Sequence, residues 1–426
     1  MKLTRRMCLL AGAGVLGTTA IRPINRAILG APSPASSSSR WVTGANPDPE
    51  LLVIVFLRGG CDGLNLVAPV DDPHYVAARP ANLRVHDRGA EAGLPLSNPP
   101  ADLDFRLHSA APELKELYDN HSLAIVHACG LTHGTRSHFE AQALMELGTA
   151  TDKGLTTGWL SRAIAPTDTS GIIPAVALSP SLPMSLWGTT TAISMTSLED
   201  FVLPGEADYA TVLNQLYQGT SPAHAAGNRL LTALQAVDVS DSQREAILAD
   251  LEAVESYSDE YAYDFGRGLR TIATLARLDV GLQVATIDYD GWDTHADQAW
   301  EFSELVAGLS QSLSAFYQDI SRDRNRVTVL VMTEFGRRLR ANESSGTDHG
   351  FGSVMLALGE HVNGGRIFGQ WPGLATEQLD RGADLAITTD FRHVLGEYLT
   401  KRLQTPSLKA IFPDLSAYEP PDIFKA

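Results

Sequence analysis

Leu51-Leu52-Val53-Ile54-Val55-Phe56-Leu57-Arg58-Gly59-Gly60-Cys61-Asp62-Gly63-Leu64 is the stretch from which the fold is read. An unbroken apolar run with no polar alternation suits a strand buried on both faces, which requires a parallel sheet covered by helices. The glycines that follow permit a tight turn and close backbone approach, and they leave Asp62 at the strand tip. In such sheets ligands gather at the carboxyl ends of the strands. Asp62 is therefore a candidate metal ligand, the alternative being a cap for a following helix.

Working outward, similar apolar runs occur at Leu123-Val126, Pro174-Leu178, Leu282-Ile287, Val327-Met332 and Val354-Leu358. Helical patterns lie between them at Pro112-Asn120, His138-Leu147, Ser240-Arg277 and Gln298-Ile320. Strands alternating with helices predict an α/β fold with a doubly wound, mostly parallel sheet. Residues 207–277 are charged and helical without strand signals, and read as a helical insertion in a domain spanning 46–426.

The residues after each run are the test of function. The segment His133-Gly-Thr-Arg-Ser-His138 opens a helix. A hydroxyl there sits where backbone N–H groups favour an anion, which makes Ser137, or Thr135, a candidate nucleophile. The alternative is plain capping, with Ser137 and Glu140 forming a capping box. After Leu282-Ile287 comes Asp288-Tyr-Asp290-Gly-Trp-Asp293-Thr-His295. Carboxylates and an imidazole in one loop are a mixed donor set, and Asp293 and His295 are spaced to converge on an ion. Beyond Val327-Met332 stand Glu334, then Asp348-His349-Gly350, where an Asp-His pair offers adjacent ligands. Glu334 is a further ligand or orients His295 from behind. Arg58, Arg337 and His138 are expected at an anionic substrate, with surface salt bridges the competing role for the arginines.

The amino terminus carries a different kind of signal. Lys2, Arg5 and Arg6 precede an apolar run from Met7 to Leu16, which has the form of a signal peptide over 1–30. The Arg5-Arg6 pair fits the twin-arginine address, and cleavage is expected near Ala20 to Ala31. The run is too short and Gly-rich for a membrane span, so none is expected in the mature protein. Residues 31–45, with Pro32, Pro34 and Ser36 to Ser39, read as a disordered linker. A periplasmic or secreted protein is expected, folded and loaded with its ion before crossing. The formal charge of −17, which becomes more acidic once the basic leader is removed, argues against a nucleic-acid partner. Cys61 and Cys129, the two cysteines beyond the leader, either pair as one disulfide or remain buried thiols.

Taken together, Arg-Gly-Gly-x-Asp-Gly-Leu from Arg58, Ser-His-Phe-x-Ala-Gln from Ser137, Gly-Trp-Leu-x-Arg from Gly158, Trp-Asp-Thr-His from Trp292, Thr-Glu-Phe-Gly-Arg from Thr333 and Asp348-His349-Gly350 form a specific set. With Gly-Gly-x-x-x-Gly-x-Trp-Pro-Gly-Leu from Gly364, the set resembles the domain-of-unknown-function 1501 family, a branch similar to the alkaline phosphatase and sulfatase superfamily. That resemblance implies an alkaline-phosphatase-like sheet and two metal ions. By position, Asp62, Asp293 with His295, and Asp348 with His349 resemble the superfamily's ligands, and Ser137 or Thr135 its nucleophile. The chain departs from the pattern in the one-residue spacing of Asp293 and His295 and in lacking a clear final histidine. The function so implied is metal-dependent hydrolysis of a small phosphate or sulfate ester, with zinc, manganese, magnesium or calcium as the divalent ion. The competing reading is a non-catalytic, metal-stabilised binding or assembly protein with a protein partner in the cell envelope.

Overall fold

A computed structural model describes residues 49–151, 154–164, 171–198, 201, 208–237, 257 and 262–425. The leader with Arg5 and Arg6, the linker, and 238–256 of the expected insertion lie outside the described residues.

The central sheet is built from β1 (Leu51–Leu57), β2 (Leu123–Gly130), β3 (Ala175–Leu178), β4 (Ala192–Met195), β5 (Val284–Tyr289) and β6 (Val327–Thr333). The chain then leaves it for a hairpin, β7 (Arg337–Ala341) and β8 (Thr347–His349), and returns as β9 (Ser353–Leu358), β10 (Ile367–Phe368) and β11 (Thr389–Asp390). Across the sheet the order is β10-β2-β9-β6-β1-β5-β3-β4, with β11 also on β2. Every expected apolar run overlaps a strand of this sheet, and the sheet is mostly parallel. The exception is β9, which runs antiparallel to both β2 and β6.

Side chains of β1 alternate between two cores. Leu51, Val53, Val55 and Leu57 point into one, against α1 (Pro112–Asp119), α5 (Tyr263–Arg277) and α6 (Gln298–Asp319). Leu52, Ile54 and Phe56 point into the other, against α2 (His138–Leu147) and α7 (Phe391–Lys401). All seven residues are buried, as a strand covered on both faces requires. Within the expected insertion the described residues form α3 (Asp208–Leu216), α4 (Pro222–Val237) and α5.

This topology sets the site. The ends of β1, β5 and β6 and the chain leading from β2 into α2 emerge on one edge. Because β9 is reversed, its amino end lies on that same edge, and the hairpin β7–β8 just before it folds over the strand tips. Gly59, at φ +121°, sits so close to the loop after β5 that a Cβ there would stand 2.4 Å from the Asp293 nitrogen. Cys61 and Cys129 are free and buried, so the expected choice between a disulfide and two thiols resolves to thiols.

Candidate metal centre

Three strand-end segments bring His138, Asp293, His295 and His349 together. One ligand atom from each of His138, Asp293 and His349 lies within 4.8 Å of the others. His138 Nε2 stands 3.0 Å from His349 Nε2 and 3.4 Å from Asp293 Oδ2. On the far flank His295 Nε2 is 2.8 Å from His349 Nε2 and 3.1 Å from Asp293 Oδ1. The imidazoles are part-exposed, so the cluster faces solvent at the sheet edge.

The outer nitrogens decide what the inner ones can do. His349 Nδ1 lies 2.9 Å from the Arg136 carbonyl, His138 Nδ1 2.8 Å from Glu334 Oε1, and His295 Nδ1 3.4 Å from Asp348 Oδ1. Carbonyls and carboxylates only accept, so the Nδ1 atoms of His349 and His138 donate, while His295 makes a longer ion-pair contact with Asp348. A neutral imidazole that donates from Nδ1 has a bare lone pair at Nε2. The Nε2 lone pairs of His138 and His349 and the Asp293 carboxylate therefore face one another. With nothing between them they repel. Protons or a cation must intervene, and an imidazole braced from behind by a carboxylate or carbonyl is the usual arrangement of a histidine that holds a metal.

Glu334 is wholly buried, and its Oε1 accepts from the Gly59 N–H at 2.9 Å, Gln142 Nε2 at 2.8 Å and His138. Burial alone would raise its pKa, but these hydrogen bonds, led by His138, outweigh it and hold the carboxyl below its ordinary value. The Glu334 hydrogen bond in turn raises the pKa of His138 above the usual imidazole value. Burial dominates at His349 and lowers its pKa. At Asp293 burial pushes upward, yet the hydrogen bond and charge of the Arg337 guanidinium bring the carboxyl below the ordinary range. Asp348 is also lowered, mainly by its hydrogen bond from Asn342.

The expected residues divide accordingly. Asp293, His295 and His349 come together as read from the sequence. Glu334 and Asp348 are near but serve from behind, and Glu334 braces His138 rather than His295. Asp62 stands outside the cluster, a correction to its reading as a ligand. It is completely buried, with Arg79 Nη1 donating to Oδ2 at 2.6 Å, Arg79 Nη2 to Oδ1 at 2.9 Å and Gln298 Nε2 to Oδ2 at 2.7 Å. Arg58 and Arg337, expected at the substrate, are framework instead. Arg58 pairs with Glu146 at 2.5 Å and Asp288 at 2.9 Å over the Phe56 ring. Arg337 is buried and donates to the carbonyls of Gly59, Gly60, Thr347 and Trp292 and, at 2.6 Å, to Asp293 Oδ1. It thereby locks three loops together and aims Asp293.

His138, expected to touch substrate, is part of the cluster itself. Its signal was present in the spacing, because His138 and Gln142 lie one turn apart on α2 and both reach Glu334. The roles of Arg79, Gln298 and Asn342 have no comparable signal. Ser137 occupies the cap position of α2 but makes no side-chain cap hydrogen bond and is exposed. Glu140 takes the Thr135 hydroxyl instead, at 2.5 Å, so the expected Ser137-Glu140 capping box does not form. Burial pushes the Cys61 thiol well above its ordinary pKa, which removes it as a nucleophile.

Fold and site together define a mostly parallel α/β protein with a histidine and carboxylate cluster at the sheet's carboxyl edge, suited to a cation. The chain belongs to the family described as Protein of unknown function (DUF1501), which matches residues 149–400. No curated protein matches the sequence. Among solved structures the chain is similar to the structure of PH0037 protein from Pyrococcus horikoshii, at 11% identity over 73% of this chain and 85% of that one, with a TM-score of 0.30.

Proposed function

We propose that the protein is an exported hydrolase that holds a divalent ion at His138, Asp293 and His349, with His295 beside them, and uses it to cleave phosphate or sulfate esters. The observation that supports this reading is the pair of inward Nε2 lone pairs of His138 and His349, each fixed by an acceptor on the opposite nitrogen, beside the Asp293 carboxylate. Imidazoles with one carboxylate favour zinc over magnesium or calcium, which prefer all-oxygen sets. When bound, such an ion supplies Lewis-acid stabilisation of charge on the transferring group.

The protein's own residues supply placement. Glu334, Asp348 and the Arg136 carbonyl orient the imidazoles, and Arg337 fixes Asp293. Ser137 is the better placed hydroxyl for nucleophilic attack, since it is exposed beside His138 while Thr135 is committed to Glu140. The resemblance to the alkaline phosphatase superfamily points to the same ester classes, and Arg5-Arg6 supports export.

The test is metal analysis of protein from the exported fraction, followed by a panel of phosphate and sulfate monoesters and diesters. Turnover that disappears in His349→Ala and falls at least about 100-fold in Ser137→Ala is the expected result. A fully loaded protein that cleaves none of them would leave the binding or assembly role in its place.

A further inference from the structure

We infer that the cluster is built for a single ion per chain, and that Asp62, for all its position at the tip of β1, belongs to the framework that carries the hairpin. This rests on the metal reading above and goes beyond it, because a two-ion site needs a second set of free ligands about 3.5–4 Å from the first.

Four carboxylates near the edge, Asp62, Glu334, Asp348 and Asp288, are engaged by other protein groups. Both oxygens of Asp62 are taken by Arg79 and Gln298, and its side chain is wholly inaccessible. Arg79 goes on to donate to the carbonyls of Leu339 at 3.0 Å and Arg338 at 3.1 Å. Gln298 in turn accepts from the Thr347 hydroxyl at 2.6 Å. Asp62 thus ties β1 to both strands of the hairpin that presents His349. Freeing it to hold an ion would strand a buried guanidinium and break those ties.

Glu334 is turned inward on Gly59, Gln142 and His138. Asp348 faces His295 and Asn342 at 3.4 and 3.2 Å. Asp288 is held by Arg58. What remains is His138, Asp293 and His349, whose ligand atoms all lie within 4.8 Å of one another, with His295 adjoining the last two, and three such donors with one open position are the complement of one tetrahedral ion. The Arg337 guanidinium, buried 2.6 Å from Asp293 Oδ1, adds fixed positive charge where a bridged second cation would need the carboxylate, which opposes a pair.

The experiment is a titration of the full-length, chelator-stripped protein with zinc, and with cobalt(II) as a coloured substitute. Bound metal per chain is read by elemental analysis and by native mass. The expected end point is about one equivalent, with loss of that equivalent in His349→Ala. Asp62→Asn should retain it while unfolding at a lower denaturant concentration. Two equivalents in the parent protein, or an Asp62→Asn variant that folds yet gives up one of two, would overturn the single-ion inference while leaving the metal reading intact. No bound metal in a folded parent protein would instead sink the metal reading, and this inference with it. Should Asp62→Asn fail to accumulate, the stoichiometry of the parent protein still decides the matter.

Discussion

Glu334 keeps its charge in a place closed to water because three donors converge on one of its oxygens, and it passes that charge to His138 through a 2.8 Å hydrogen bond. Replacing it by Gln removes the charge while keeping the volume. The expected outcome is a roughly 10- to 100-fold loss of metal affinity with the fold retained, measured by competition with a chromophoric chelator. An unchanged affinity would mean that His138 does not hold the ion. Asp293 and His295 were legible from the loop that follows one apolar run, and His349 from the Asp-His-Gly motif beyond the next. Asp62 and Arg337 satisfied the same rule and were misread, since position at a strand tip does not disclose a partner such as Arg79 from elsewhere in the chain. Whether a charged group meets a ligand or another side chain depends on tertiary pairing, which one sequence does not display.

Among the elements, the hairpin β7–β8 is the one on which the site depends. Gly336, at its root, lies so close to β9 that a Cβ would stand 2.0 Å from the Gly352 oxygen. Gly336→Ala must therefore push the hairpin off its seat. Overpacking of this kind costs about 1–3 kcal/mol, and here it should also lower metal occupancy, because Arg337 and His349 move with the hairpin. Thermal unfolding with and without added zinc would separate the two effects, and a variant with parental occupancy would contradict the coupling. The strands β1, β2, β3, β5, β6 and β9 were legible as apolar runs. The reversal of β9 was not, because Ser-Val-Met-Leu-Ala-Leu reads as a buried strand in either direction. The hairpin was also missed, since Arg337-Arg-Leu-Arg-Ala341 and Thr347-Asp-His349 are too short and polar to show periodicity.

At the scale of the whole molecule, stability should fall in mild acid because two enclosed histidines cannot take up the protons they bind when unfolded. His127 is fully enclosed, with Nε2 2.9 Å from the Val67 carbonyl and Nδ1 accepting from the Ala128 N–H at 2.9 Å. Burial pushes its pKa down to about 4, and His108 likewise to about 4. Unfolded histidines bind protons near pH 6.5, so between about pH 6.5 and 4 the unfolded state holds more protons. Stability is then full above that window and declines through it, by about 3 kcal/mol for each histidine. Unfolding of the stripped protein across this range should show the slope, and His127→Gln should reduce it; a flat profile would count against both burials. Replacing Arg5 and Arg6 with Lys should leave precursor in the cytoplasm, detected by fractionation, and normal export of that variant would remove the twin-arginine proposal. The separation of the ligands along the chain has one more consequence. His138 and His349 meet across 211 positions, so no translated fragment owns a binding site, and an ion can be captured only by a chain that has already folded. If the chain folds before export, the choice of metal is made from the cytoplasm's supply of exchangeable ions, and the more competitive metals outside meet a cluster already filled.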